Sequence, residues 1–169
     1  MKTALLVIAQ EIFRDEEYAR PKAVLEAHGV TVTTASLQPG PARGKLGMTA
    51  VADVALATAA ARQWDCVAFI GGAGASVFFD DPDAHALARD TLASGAVVGA
   101  ICIAPSILAR AGLLQGVPAT AFASQHDDLV EHGALWEPGP VVVSGRIVTA
   151  NGPDAAQEFG QRLAELLPK

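Results

Sequence analysis

Residues 97–112 read VVGAICIAPSILARAG, an apolar run, a cysteine and then a helix-forming run. The opening five residues are too short for a helix and too uniformly apolar for a half-exposed strand. They read as a strand buried on both faces of a parallel sheet. A sharp strand-to-helix turn at Cys102 needs small residues two positions to each side, and Ala100 and Ala104 meet that need. Pro105 suits a first helical turn, where its missing N–H costs nothing. The helix N-terminus next to Cys102 is expected to lower its thiol pKa. Ile103, an inert side chain, follows the cysteine.

The same strand–helix alternation runs outward in both directions. Residues 3–9, 30–36, 66–70 and 97–101 read as buried strands, and 119–123 as a short fifth. Residues 15–28, 53–62, 83–93 and 105–111 read as helices, with Gly29 and Gly112 as natural C-caps. Residues 38–47, QPGPARGKLG, read as a loop by composition. Segments 141–143 and 146–149 flank Ser144-Gly145 as a hairpin, and Asp154 is placed to cap a last helix. No repeat or linker interrupts residues 1–169, which read as one domain. The pattern predicts a mostly parallel α/β sheet with helices on both faces, and ligands bind such sheets beyond the carboxyl ends of the strands.

Composition excludes several function classes. The chain is 51% hydrophobic and 18% charged with a net charge of −6, which fits a filled core. Basic residues do not cluster, so nucleic acid and anionic membrane surfaces are not expected partners. No stretch reads as a signal peptide or bilayer span, and two cysteines are no disulfide framework, so a cytoplasmic protein is expected. No spacing of His, Cys, Asp and Glu suggests a metal site, and no cofactor is expected. FMN is disfavoured by the acidic loop after the first strand, and a receiver domain by the lack of paired aspartates there.

Three loops at the carboxyl edge carry the candidate chemistry. Cys102 is the candidate nucleophile, whereas Cys66, mid-strand, reads as an inert buried thiol. Glu11, just past the first strand, is the candidate carboxyl to bond the sulfur or move a proton. GGAGA, residues 71–75, lets backbone approach a ligand closely, and its amides could donate to an oxyanion. His28 and His85 read as surface or packing residues. His126, beside Asp127 and Asp128, is the candidate base that a cysteine nucleophile commonly uses.

Glu11, FIGGAGA, AICIAPSILARAGLL and TANGPDAAQEFG, together with GVTVTTAS and the VVVSGRIVTANGP hairpin, resemble the ThiJ/PfpI superfamily in order along the chain. That superfamily includes PfpI-type intracellular proteases, bacterial general stress proteins and the parkinsonism-associated deglycase. The resemblance implies a flavodoxin-like three-layer sandwich, akin to class I glutamine amidotransferases, and assembly as a homodimer or larger homo-oligomer. It implies that Cys102 is an elbow nucleophile prone to oxidation, that Glu11 is its hydrogen-bonding carboxyl, and that Gly72, Gly74 and Ile103 form the anion pocket. The chain also departs from the pattern. Ile103 stands where the proteases carry histidine, and Asn151 where the deglycases carry arginine. Phe122 matches the deglycase histidine position, with His126 displaced.

The expected function is a stress-protection protein built on a reactive, oxidation-prone Cys102. The alternatives are an enzyme acting on small electrophiles, of glyoxalase or deglycase type, and a cysteine peptidase using His126 or a partner's histidine. A holdase or binding module would need a long exposed apolar stripe, which the sequence lacks.

Overall fold

The computed structural model describes residues 1–168. The strands are β1 (Thr3–Val7), β2 (Glu11–Phe13), β3 (Thr31–Ser36), β4 (Gly40–Gly44), β5 (Thr49–Ala52), β6 (Val54–Ala55), β7 (Cys66–Phe69), β8 (Val97–Ile101), β9 (Pro118–Ala119), β10 (Leu135–Trp136), β11 (Val141–Ser144) and β12 (Ile147–Ala150). The helices are α1 (Asp15–Ala27), α2 (Leu56–Ala59), α3 (Pro82–Ala93), α4 (Pro105–Arg110), α5 (His126–Glu131) and α6 (Ala156–Leu166). Seven strands form the central sheet in the order β11-β12-β8-β7-β1-β3-β6. Every pairing in it is parallel except β11 with β12. The mostly parallel sheet is the one that the alternation predicts, and the fold is the flavodoxin-like sandwich that the resemblance implies.

Strand pleating divides the core into two layers. Leu5 and Val7 of β1 join Leu87 of α3 and Ile107 and Leu108 of α4 on one face. Ala4 and Leu6 join Tyr18, Val24 and Leu25 of α1 and Phe159 and Leu163 of α6 on the other. The α1–α6 layer packs closely because two glycines leave room. A Cβ on Gly160 would stand 2.8 Å from Cα of Pro21, and one on Gly99 would stand 2.8 Å from Cδ2 of Leu163.

Several elements differ from the sequence reading. The segment 38–47 is not a loop, since it holds β4, which pairs antiparallel with β5 and parallel with β2 in a separate three-stranded sheet. The helix expected over 53–62 shrinks to α2, because Val54 and Ala55 extend the sheet beside Ala35 and Ser36. The fifth strand reduces to β9, which pairs with β10 outside the main sheet. Ser144 pairs with Ile147, so the hairpin turns at Gly145-Arg146, one residue later than expected. Asp154 lies in a 3₁₀ turn before α6, and Ala155 is the N-cap, with no side-chain cap.

Gly99→Val would push a branched side chain into Leu163 and Phe159. A loss of about 1–3 kcal/mol is expected in denaturant unfolding, and an unchanged midpoint would overturn this packing account.

Candidate functional site

The site begins with strained backbone. Cys102 follows β8 with φ +65°, in the left-handed region that non-glycine residues avoid. Conformations of this kind cost roughly 1–3 kcal/mol and persist only where the surroundings hold them. Here the Cys102 N–H donates to the Ala150 carbonyl at 2.9 Å, and its carbonyl accepts from the Phe122 N–H at 2.8 Å. Ala100 and Ala104 are fully buried on either side. The elbow expected from the alanine spacing is therefore present, and it aims a part-exposed sulfur beyond the carboxyl edge of the sheet.

The carboxyl that meets this sulfur is Glu17 of α1. Its side chain is fully buried, and neither oxygen has a partner of good hydrogen-bond geometry. The Cys102 thiol and the Gly71 N–H are the polar groups that favour its ionised form by hydrogen bonding, and the Arg14 charge favours it too. Gly71 makes the approach possible, because a Cβ there would lie 2.4 Å from Oε1 of Glu17 and 2.6 Å from Cβ of Cys102. Glu11 does not take this role. It lies exposed on β2, and its backbone carbonyl packs against Gly74, where a Cβ would come within 1.8 Å. Glu11 is not among the residues that line the cavity over Cys102.

The electrostatics follow from burial. Desolvation pushes the Glu17 carboxyl up to about 7, against an ordinary 4.5. Burial, then the charge of an ionised Glu17, push the Cys102 thiol up to about 12. The backbone N–H groups of Gly72 and Ile103 and the Arg14 guanidinium favour the thiolate without overcoming that rise. This reverses the lowering expected from a helix N-terminus: α4 spans only six residues and starts three positions after the cysteine. The two groups titrate as a coupled pair. Between the two ionisations, the pair holds one proton beside one negative charge.

A cavity of about 320 Å³ opens over the pair. Ile12, Arg14, Lys45, Gly72, Ile103 and Phe122 are among its lining residues. Gly72, at φ +99°, lets the loop after β7 press onto the backbone of Ile12 and Phe13. Gly74 does not line the cavity, being a packing glycine against Glu11. His126 does not line it either: its Nδ1 lies 2.9 Å from Asp127, and its ring packs on Trp136. Phe122 occupies the wall where the resemblance implied a histidine, and it offers no base. His28 and His85 bond the carbonyls of Val24 and Phe79, and Cys66 is fully buried in β7. Glu17, Arg14 and Lys45 were not among the sequence candidates. Helical spacing could have found Glu17, which shares a buried stripe with Pro21, Val24 and Leu25.

A parallel α/β sandwich whose strained elbow holds a cysteine against a buried carboxyl defines a class of cysteine-centred α/β proteins. The chain belongs to the DJ-1/PfpI family, whose model matches residues 2–166. It is 33% identical over all of its length to "Uncharacterized protein MJ0967" of Methanocaldococcus jannaschii, covering 85% of that protein. It is 30% identical to "Glutathione-independent glyoxalase DJR-1.2" of Caenorhabditis elegans, over 98% of this chain and 89% of that one. It is also 30% identical to YraA of Bacillus subtilis, whose name carries a provisional cysteine-protease label, over 99% of each chain. Among solved structures, a ThiJ/PfpI domain protein from Brachyspira murdochii superposes with a TM-score of 0.93 at 31% identity, covering 97% of this chain and 95% of that one.

The raised Glu17 pKa has a consequence for stability. Between pH 4.5 and 7 the folded carboxyl keeps a proton that the unfolded one has released. The folded state binds more protons there, so stability falls as pH rises, by about 3 kcal/mol across the window. Glu17→Gln is expected to remove this slope from urea midpoints measured between pH 5 and 8. Parallel wild-type and variant curves would overturn it.

Proposed function

We propose that the protein is an enzyme acting on small carbonyl electrophiles, with Cys102 as nucleophile and Glu17 as the proton carrier. The observation that carries this reading is a part-exposed sulfur at a strained elbow beside a fully buried carboxyl, whose burial raises its pKa to about 7. A base of that pKa is well matched to proton transfer near pH 7. For a 2-oxoaldehyde such as methylglyoxal, the sulfur adds to the aldehyde carbon, and the thiol proton passes through Glu17 to the new alkoxide. Glu17 then takes the C1 proton of the hemithioacetal and returns one to C2, an internal oxidation–reduction that leaves a thioester. Water hydrolyses the thioester to lactate and frees the sulfur. The N–H groups of Gly72 and Ile103 face the reacting centre, where they would support negative charge on sulfur or on the thioester oxygen. The similarity to a glyoxalase agrees with this chemistry, and the cavity's size suits a small molecule.

The peptidase reading is less well supported, because no histidine lines the cavity among the described residues. Stress protection through oxidation of Cys102 would draw on the same part-exposed sulfur, whose thiolate the Gly72 and Ile103 N–H groups favour. Mass spectrometry after mild peroxide, comparing wild type with Glu17→Gln, addresses that reading: the variant lacks the charge that raises the Cys102 thiol pKa, so more Cys102 oxidation is expected. For the enzyme, lactate formation from methylglyoxal without added thiol is expected to vanish in Cys102→Ser. In Glu17→Gln it should fall by at least ~100-fold. Turnover that persists in Cys102→Ser would sink the proposal.

A further inference from the structure

Two cations line the cavity over Cys102, Arg14 and Lys45, in a chain whose net charge is −6. They are not equally available. Arg14 is held by Glu16, with Nε and Nη2 donating to its two oxygens at 2.9 and 3.0 Å. Lys45 makes no ion pair among the described residues, and it sits at the β4–β5 turn that overhangs the cavity. That turn is pinned in place. The Lys45 N–H donates to the Phe13 carbonyl at 2.9 Å. The N–H groups of Leu46 and Met48 donate to the buried Asp15 carboxylate at 3.0 and 2.9 Å. Gly44 leaves room for that carboxylate, since a Cβ there would lie 2.3 Å from its Oδ1. Asp15 is thus occupied by backbone donors, and the Lys45 ammonium is left free at the mouth of the site.

We propose that Lys45 selects electrophiles carrying a carboxylate beside the reacting carbonyl, making 2-oxo acids with an aldehyde carbon, such as glyoxylate, preferred over neutral carbonyls. This rests on the assignment of Cys102 as nucleophile. The step required is a reversible addition: the S–C bond forms, the C=O π bond breaks, and the thiol proton passes through Glu17 to the new alkoxide. Nothing is oxidised and no group leaves. The carboxylate stays at the mouth against Lys45 while the carbonyl reaches the sulfur. Arg14, already neutralised by Glu16, contributes less.

The test compares alkylation of Cys102 by iodoacetate, an anion, with iodoacetamide, its neutral counterpart, each scaled to N-acetylcysteine at the same pH and ionic strength. Wild type is expected to favour iodoacetate. Lys45→Met should lower that preference ~3–5-fold, within the range of an exposed charge pair, and Lys45→Arg should keep it. Added salt should shrink the wild-type preference, and glyoxylate should protect Cys102 at lower concentration than glyoxal. Lys45 is exposed, so both variants should keep the wild-type unfolding midpoint. The same preference in wild type and Lys45→Met would overturn the role of Lys45 alone. A Cys102 that reacts with neither reagent would overturn this proposal and the nucleophile assignment together.

Discussion

The site depends on the missing side chain at position 71. Glu17, Cys102 and the end of β8 all converge on the space that a Cβ there would fill. Gly71 follows β7, Cys102 follows β8, and Glu17 lies on the helix that follows β1, three neighbouring strands of the parallel sheet. Parallel pairing brings their carboxyl ends to one edge, and the glycine sets how near the carboxyl and the sulfur can come. Any side chain at 71 would force them apart or displace the elbow.

That constraint also accounts for the strain stored around it. Cys102 and Ile12 are the two non-glycine residues at positive φ among those described, and both line the same cavity. For a β-branched residue such as Ile12 this is a costly conformation. It is held by Gly72, which presses on the Ile12 carbonyl, and by β2, which pairs with β4. A carboxyl buried without good donors adds a further cost at neutral pH, offset by the two-layered core beneath. Strain and poor hydrogen bonding are concentrated here, whereas the helices and strands below are regular.

How much of this was legible in the sequence varied with the range of the signal. The four buried strands and the elbow could be read, because apolar runs and small residues around a cysteine are local patterns. Glu17 was hidden by its neighbours: in RDEEYARP it looks like part of a solvated acidic turn. Asp15 and Glu17 are in fact buried while Glu16 pairs with Arg14. Only the spacing from Glu17 to Pro21 and Val24 marks it as inward-facing. Gly72 and Gly74 look alike in GGAGA, yet one borders the cavity and the other packs on Glu11, a difference fixed by the distant strand β2. The Lys45 hairpin was obscured by Pro and Gly, although alternating burial runs through both β4 and β5.

Ile103 gains meaning once the carboxyl is placed. Amide hydrolysis needs a proton delivered to the leaving amine, a task that an adjacent histidine can perform after taking the thiol proton. With isoleucine at 103 and phenylalanine at 122, the proton of Cys102 has Glu17 as its near acceptor. Glu17 is fully buried in the wall of the cavity. Such an arrangement suits reactions in which the proton returns to the same molecule, namely addition to a carbonyl and its isomerisation. Hydrolysis of a thioester needs less help, because a thiolate leaves without protonation. On the proposed assignment of Cys102 as nucleophile, the inert residue beside it favours carbonyl addition over peptide cleavage.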